Sequence, residues 1–89
     1  MAATDLGPFL EQGKKTDNGA IAAVPSGARV IVMQAKGGII HYNVDGDAVT
    51  LPGDAFDLAD GEKLIYEHIE GLMFDCTTNG ATLIYALYG

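Results

Sequence analysis

Asn79-Gly80 stands between two apolar runs in the stretch LMFDCTTNGATLIYALYG, residues 72–89. The pair predicts a two-residue β-hairpin, because a type I′ turn needs φ > 0 at both central positions and Asn-Gly supplies it. Such a loop sets the register: Thr78 faces Ala81, Cys76 faces Leu83, Phe74 faces Tyr85 and Leu72 faces Leu87. Side chains alternate along a strand, so one face carries Leu72, Phe74, Cys76, Leu83, Tyr85 and Leu87 and must be core. The other carries Met73, Asp75, Thr77, Thr82, Ile84, Ala86 and Tyr88, which is too apolar for a fully solvated surface. Within it Met73, Ile84, Ala86 and Tyr88 form the expected oligomer interface, since contiguous apolar patches mark contact with protein. The competing expectation is that the opposite sheet, or the N-terminal segment, covers these four within one subunit.

A second hairpin is predicted about Gly37-Gly38, between residues 29–36 and 39–45. With a two-residue loop, Ala35 faces Ile40, Met33 faces Tyr42 and Ile31 faces Val44, an apolar face. The reverse face, with Lys36, Gln34, Val32 and Val30 against Ile39, His41, Asn43 and Asp45, is mainly polar, as in a half-buried antiparallel sheet. Residues 20–24 read as a short strand ending at the turn cluster Pro25-Ser26-Gly27. Further short strands fit at 49–51, 56–58 and 63–67, and the consecutive Leu64, Ile65 and Tyr66 suggest a strand covered on both sides. No stretch carries a helical stripe of ten residues. The expected fold class is all-β: a compact antiparallel β-sandwich or small barrel of about seven short strands with an N-terminal extended arm.

The arm is residues 1–19, broken by Gly7 and Pro8 and ending in a polar run, and the β-sandwich domain is residues 20–89. A flexible tail is one reading of the arm. The other is a segment whose Leu6, Phe9 and Leu10 dock on a neighbouring subunit or capsid surface. The whole chain of 89 residues is one domain, and at this size extra burial by self-association adds noticeably to stability. Twelve acids against five bases give a net charge of −7, which argues against a nucleic-acid partner. No run approaches the length of a membrane span, and the N-terminus lacks the pattern of a signal peptide. Cys76 is the only cysteine, so the chain holds no disulfide framework and no thiolate zinc site. On the core face of its strand it is a small hydrophobe. The chain reads as made in a reducing cytoplasm.

No constellation predicts chemistry. Asp45, Asp47, Asp54, Asp57 and Asp60 gather in one glycine-punctuated loop that could attract calcium. The EF-hand spacing fails at Val49, however, and aspartate beside glycine is ordinary turn chemistry. His41 and His68 lie in different predicted hairpins without the paired histidines of a cupin-like metal site, and His41 is expected on the polar face opposite Gln34. A Cys76–His68 nucleophile pair is disfavoured because a reactive thiolate needs a partly exposed, electropositive setting. Tyr42, Tyr66 and Tyr85 fit the core better than a sugar platform, which leaves a carbohydrate groove possible through Tyr88 alone. The sequence therefore predicts no enzyme, no catalytic residue, no cofactor and no bound metal.

The order of features over residues 20–89 resembles the small all-β virion proteins of tailed bacteriophages, of the capsid-decoration or cement kind. The features are Val24-Pro25-Ser26-Gly27, Arg29-Val30-Ile31-Val32 with its glycine turn, Leu58-Ala59-Asp60-Gly61-Glu62-Lys63 and Asn79-Gly80-Ala81-Thr82-Leu83. The resemblance implies a β unit, often trimeric, that sits on the lattice of the major capsid protein and stabilises the shell without catalysis. It implies a homotrimer found in the virion and assembled in the bacterial host cytoplasm. The alternative is a ligand-binding module, for carbohydrate or Ca²⁺, of a phage tail or fibre.

Overall fold

The computed structural model describes residues 6–89, so residues 1–5 of the expected arm lie outside the described residues. Seven strands follow one another: β1 (Phe9–Lys15), β2 (Val30–Lys36), β3 (Ile40–Asn43), β4 (Phe56–Leu58), β5 (Lys63–Tyr66), β6 (Met73–Asp75) and β7 (Thr82–Tyr88). They form two antiparallel sheets. Sheet A has the order β1-β7-β2-β5 and sheet B the order β4-β3-β6. The molecule is thus an all-β sandwich rather than a closed barrel, without helices among the described residues.

Neither glycine turn makes a hairpin. The chain passes from sheet A to sheet B between β2 and β3, and back from sheet B to sheet A between β6 and β7. Gly80 has φ +63° and Gly37 φ +88°, but Asn79 and Gly38 do not share the left-handed conformation that a type I′ turn demands of both central residues. The connection after β6 is instead a wider loop closed by Ala81 N–H donating to the Cys76 carbonyl at 2.9 Å. Each connection is a β-arch, in which the two strands face each other across the core. A hairpin and an arch built from one sequence bury the same alternating residues. The predicted core faces therefore hold while the predicted pairings fail. Ile31, Met33, Ala35, Ile40, Leu72, Phe74, Cys76, Leu83, Tyr85 and Leu87 are all buried, with Tyr42 and Val44 packed against them.

The two arches lie side by side, because β2 pairs with β7 and β3 pairs with β6. Their tips touch. A Cβ on Gly38 would sit 2.9 Å from the Asn79 carbonyl oxygen, too close for any side chain, so this position needs glycine for the approach itself. Large apolar side chains that are fully buried, such as Phe74, Ile31, Leu58 and Leu83, each stabilise the fold by about 1.5–3 kcal/mol.

Four other expectations change. Residues 20–24 form no strand; Gly19 makes a single bridge to Phe74, and Ile21 is buried beside it. Residues 49–51 are likewise irregular. Ile65, expected between two covers, is 45% exposed, because β5 is an edge strand whose outer face nothing overlies among the described residues. The segment read as an arm is extended, and its partner is in the same chain: β1 pairs along β7, from Phe9 opposite Tyr88 to Lys15 opposite Leu83, with a bulge at Leu10. Gly13 makes room for the Tyr85 hydroxyl, which would stand 2.6 Å from an added Cβ.

Candidate functional site

On β7 the inward residues Leu83, Tyr85 and Leu87 alternate with Thr82, Ile84, Ala86 and Tyr88, which project from the outer face of sheet A. Register carries the same division to the neighbours. Tyr88 lies between Phe9 and Val30, Ala86 between Gln12 and Val32, and Ile84 between Lys14 and Gln34. Beyond β2, Val32 lies beside Ile65 and Gln34 beside Lys63. The outer face is thus a continuous apolar field that gives way to lysines toward the arches. Phe9 is 57% exposed, and its ring meets the Tyr88 ring edge-on at 5.8 Å. Val30 is fully buried although it stands outside the core cluster.

Of the expected interface, Ile84, Ala86 and Tyr88 are brought together and remain half-buried. Met73 is not with them. It belongs to β6 and projects from the outer face of sheet B, because the arch between β6 and β7 puts the two strands in different sheets. Val32 and Ile65 stand in the same field, with the fully buried Val30 beside them. Their signal was present in the apolar positions of an otherwise polar strand face, but only the β2–β7 and β2–β5 pairings place them in one field. Phe9 joins the same field from β1, while Leu6 precedes the strand and Leu10 stands at its bulge, 41% and 37% exposed.

The outer face of sheet B is built differently. His41 is paired in register with Asp57 on β4 and Asp75 on β6, not with Gln34. Its Nδ1 lies 2.7 Å from Asp57 Oδ1, and its Nε2 lies 3.3 Å from the Asn79 amide nitrogen. That same nitrogen donates to the Ile39 carbonyl at 3.1 Å, so the amide's donor end faces both groups. Nε2 must then accept, and the ring proton rests on Nδ1, where it is donated to Asp57. Asp75 is buried and accepts from the Thr78 hydroxyl at 2.5 Å, the Thr78 amide at 3.2 Å and the Thr77 hydroxyl at 3.3 Å. Burial alone would raise its pKa; the Thr78 and Thr77 bonds outweigh that and hold the carboxyl below its ordinary value. Both ring nitrogens and both Asp75 oxygens are thus engaged inside the fold, while Asp57, 62% exposed, keeps one oxygen toward solvent.

The remaining candidates do not converge. An open groove of about 1020 Å³ runs between residues 20–29 and 65–73, lined by Ile21, Tyr66, His68 and Ile69. Its Tyr66 and His68 rings meet edge-on at 6.0 Å. The acidic loop folds as turn chemistry: Asp45 accepts from the Asp47 amide at 3.0 Å, and Asn43 donates to the Asp47 and Ala48 carbonyls. No three metal-binding side chains gather in one place among the described residues. Cys76 is buried, and burial pushes its thiol pKa up. Among the described residues no helix is long and apolar enough to cross a membrane. No family model, curated protein or solved structure matches this chain.

Proposed function

We propose that this chain is a non-enzymatic structural protein that self-associates through the outer face of sheet A and stabilises a larger protein lattice. The setting implied by its sequence resemblance is a phage capsid, with the chain as a decoration protein of the virion, in three copies. The observation that carries this reading is the apolar field of Phe9, Tyr88, Ala86, Val32, Ile65 and Ile84, on which neither sheet packs and whose members all stay partly or largely exposed. A surface of this kind favours protein contact. The self-contained network around His41 supports the same reading, since its Nε2 meets an amide and not a hydroxyl or thiol that it could activate.

Light scattering coupled to size-exclusion chromatography tests self-association directly. Wild-type protein is expected to run as an oligomer at high micromolar concentration. Ile84→Asp, which sets a carboxylate in the middle of the field, is expected to run as a folded monomer. A monomeric wild type, or an Ile84→Asp oligomer of unchanged mass, overturns the proposal.

A further inference from the structure

The charge of this molecule is segregated by face. The outward positions of β1, β7, β2 and β5 hold no acid, and three of the five bases, Lys14, Lys36 and Lys63, stand among them. Glu67 comes into phase with Lys63 and Ile65 only beyond the end of β5. A chain of net charge −7 with twelve acids thus presents one face that is apolar and basic. Its counterpart is the surface of residues 45–57. There Asp45, Asp47 and Asp54 line one shallow depression of about 350 Å³ together with Phe56. Phe56 is 56% exposed and Leu51, in the same loop, 40% exposed. One surface is apolar with lysines, the other apolar with aspartates.

Building on the self-association proposed above, we infer that copies of this chain join head to tail. The outer face of sheet A of one copy seats on the acidic, Phe56-bearing surface of the next. An isologous pairing of two sheet A faces would set lysines against lysines, with only the rim carboxylates of Asp60 and Glu62 nearby, already accepting from the Gly37 and Ala59 amides, whereas like charges juxtaposed at an interface cost several kcal/mol. Docking on residues 45–57 supplies the carboxylates, and the exposed Leu51 and Phe56 supply apolar area against Phe9 and Ile65. The interface is heterologous, so each copy keeps one donor and one acceptor surface, and the assembly closes as a ring or extends as a filament.

Paired charge reversals test this. Lys36, Lys63, Asp47 and Asp54 are exposed, and their side chains make no hydrogen bond or ion pair among the described residues. The double variants K36E/K63E and D47K/D54K should therefore fold, which circular dichroism checks. Each alone is expected to associate at least about tenfold more weakly than wild type by light scattering. An equimolar mixture is expected to recover the wild-type mass, because the intact lysine face of one variant meets the intact acidic face of the other, and the two reversed faces also match. Both variants stay net negative, so bulk attraction cannot drive the recovery. If D47K/D54K alone assembles as wild type does, or the mixture fails to recover, the head-to-tail arrangement is overturned while self-association stands. A monomeric wild type removes the underlying reading instead.

Discussion

At the centre of sheet B's outer face His41 sits between two aspartates, one taking its ring proton and the other saturated by threonine hydroxyls and an amide. At the centre of sheet A's outer face Val32 sits between Ala86 and Ile65, and the lysines nearby have no partner among the described residues. Both faces lie one residue out of phase with the same core, so burial does not distinguish them. What does is where their interactions end. His41, Asp75 and Asn79 of sheet B and its arch find their partners within the chain and, with Asp57, tie β4, β3, β6 and the two arches together. On sheet A only Gln34 is tied within the chain, donating to the Gly61 carbonyl at 3.0 Å, and the outward lysines are left for solvent or for another molecule. Substitutions on the two faces should therefore separate cleanly, the first lowering stability and the second lowering association.

Asp75→Ala is expected to have the largest effect. It removes a carboxylate only 4% exposed together with its charge-assisted bonds from the Thr78 hydroxyl and amide and the Thr77 hydroxyl, which should cost about 1.5–3 kcal/mol in urea unfolding. The pH dependence has a definite sign. The folded carboxyl titrates below its ordinary value of 3.8, so the native state binds fewer protons than the unfolded chain as the pH falls into that region. The contribution is complete above the ordinary carboxylate range and is lost as the pH falls through the folded value. Asp75→Asn, which cannot titrate, should lose less stability than wild type over the same acid interval. An unchanged acid limb in that variant would remove Asp75 from the account.

Asn79→Ala probes the same face more gently. It frees the Ile39 carbonyl and the His41 Nε2, both close enough to solvent to rehydrate, and should cost about 1 kcal/mol. Nitrogen NMR of the histidine ring sharpens the test: in wild type the proton of neutral His41 is expected on Nδ1. A ring proton on Nε2 would contradict the chain of donors from Asn79 to Asp57.

Which residues are buried could be read from the sequence because a period of two depends only on the strand itself. Ile31, Met33 and Ala35, like Leu83, Tyr85 and Leu87, point inward whichever strand lies beside them. Which strands pair could not, since Asn79-Gly80 and Gly37-Gly38 serve an arch as readily as a hairpin, and the difference lies in the conformation of one residue in each turn. That single ambiguity moved Met73 to the wrong side of the molecule. It also hid the His41–Asp57 pair, which exists only because β3 and β4 meet across residues 44–55. β1 was illegible for another reason. It overhangs as an edge strand, with Glu11 and Lys15 on its inner side, and the bulge at Leu10 breaks its alternation. The lysine-bearing face emerges only once all four strands of sheet A are in register.

Ile65→Thr carries the smallest expected effect on folding and the most discriminating one. Threonine is as good a strand former as isoleucine on an edge, and nearly half of the Ile65 surface is already in water. Urea unfolding should therefore stay within about 0.5 kcal/mol of wild type. The concentration at which the protein associates should nevertheless rise, because the lost apolar contact belongs to the field between copies and not to the core. A cost of 2 kcal/mol or more in the monomer, about what burial of a large side chain contributes, would mean that the chain itself covers this face. The contrast between the two sheets would then disappear.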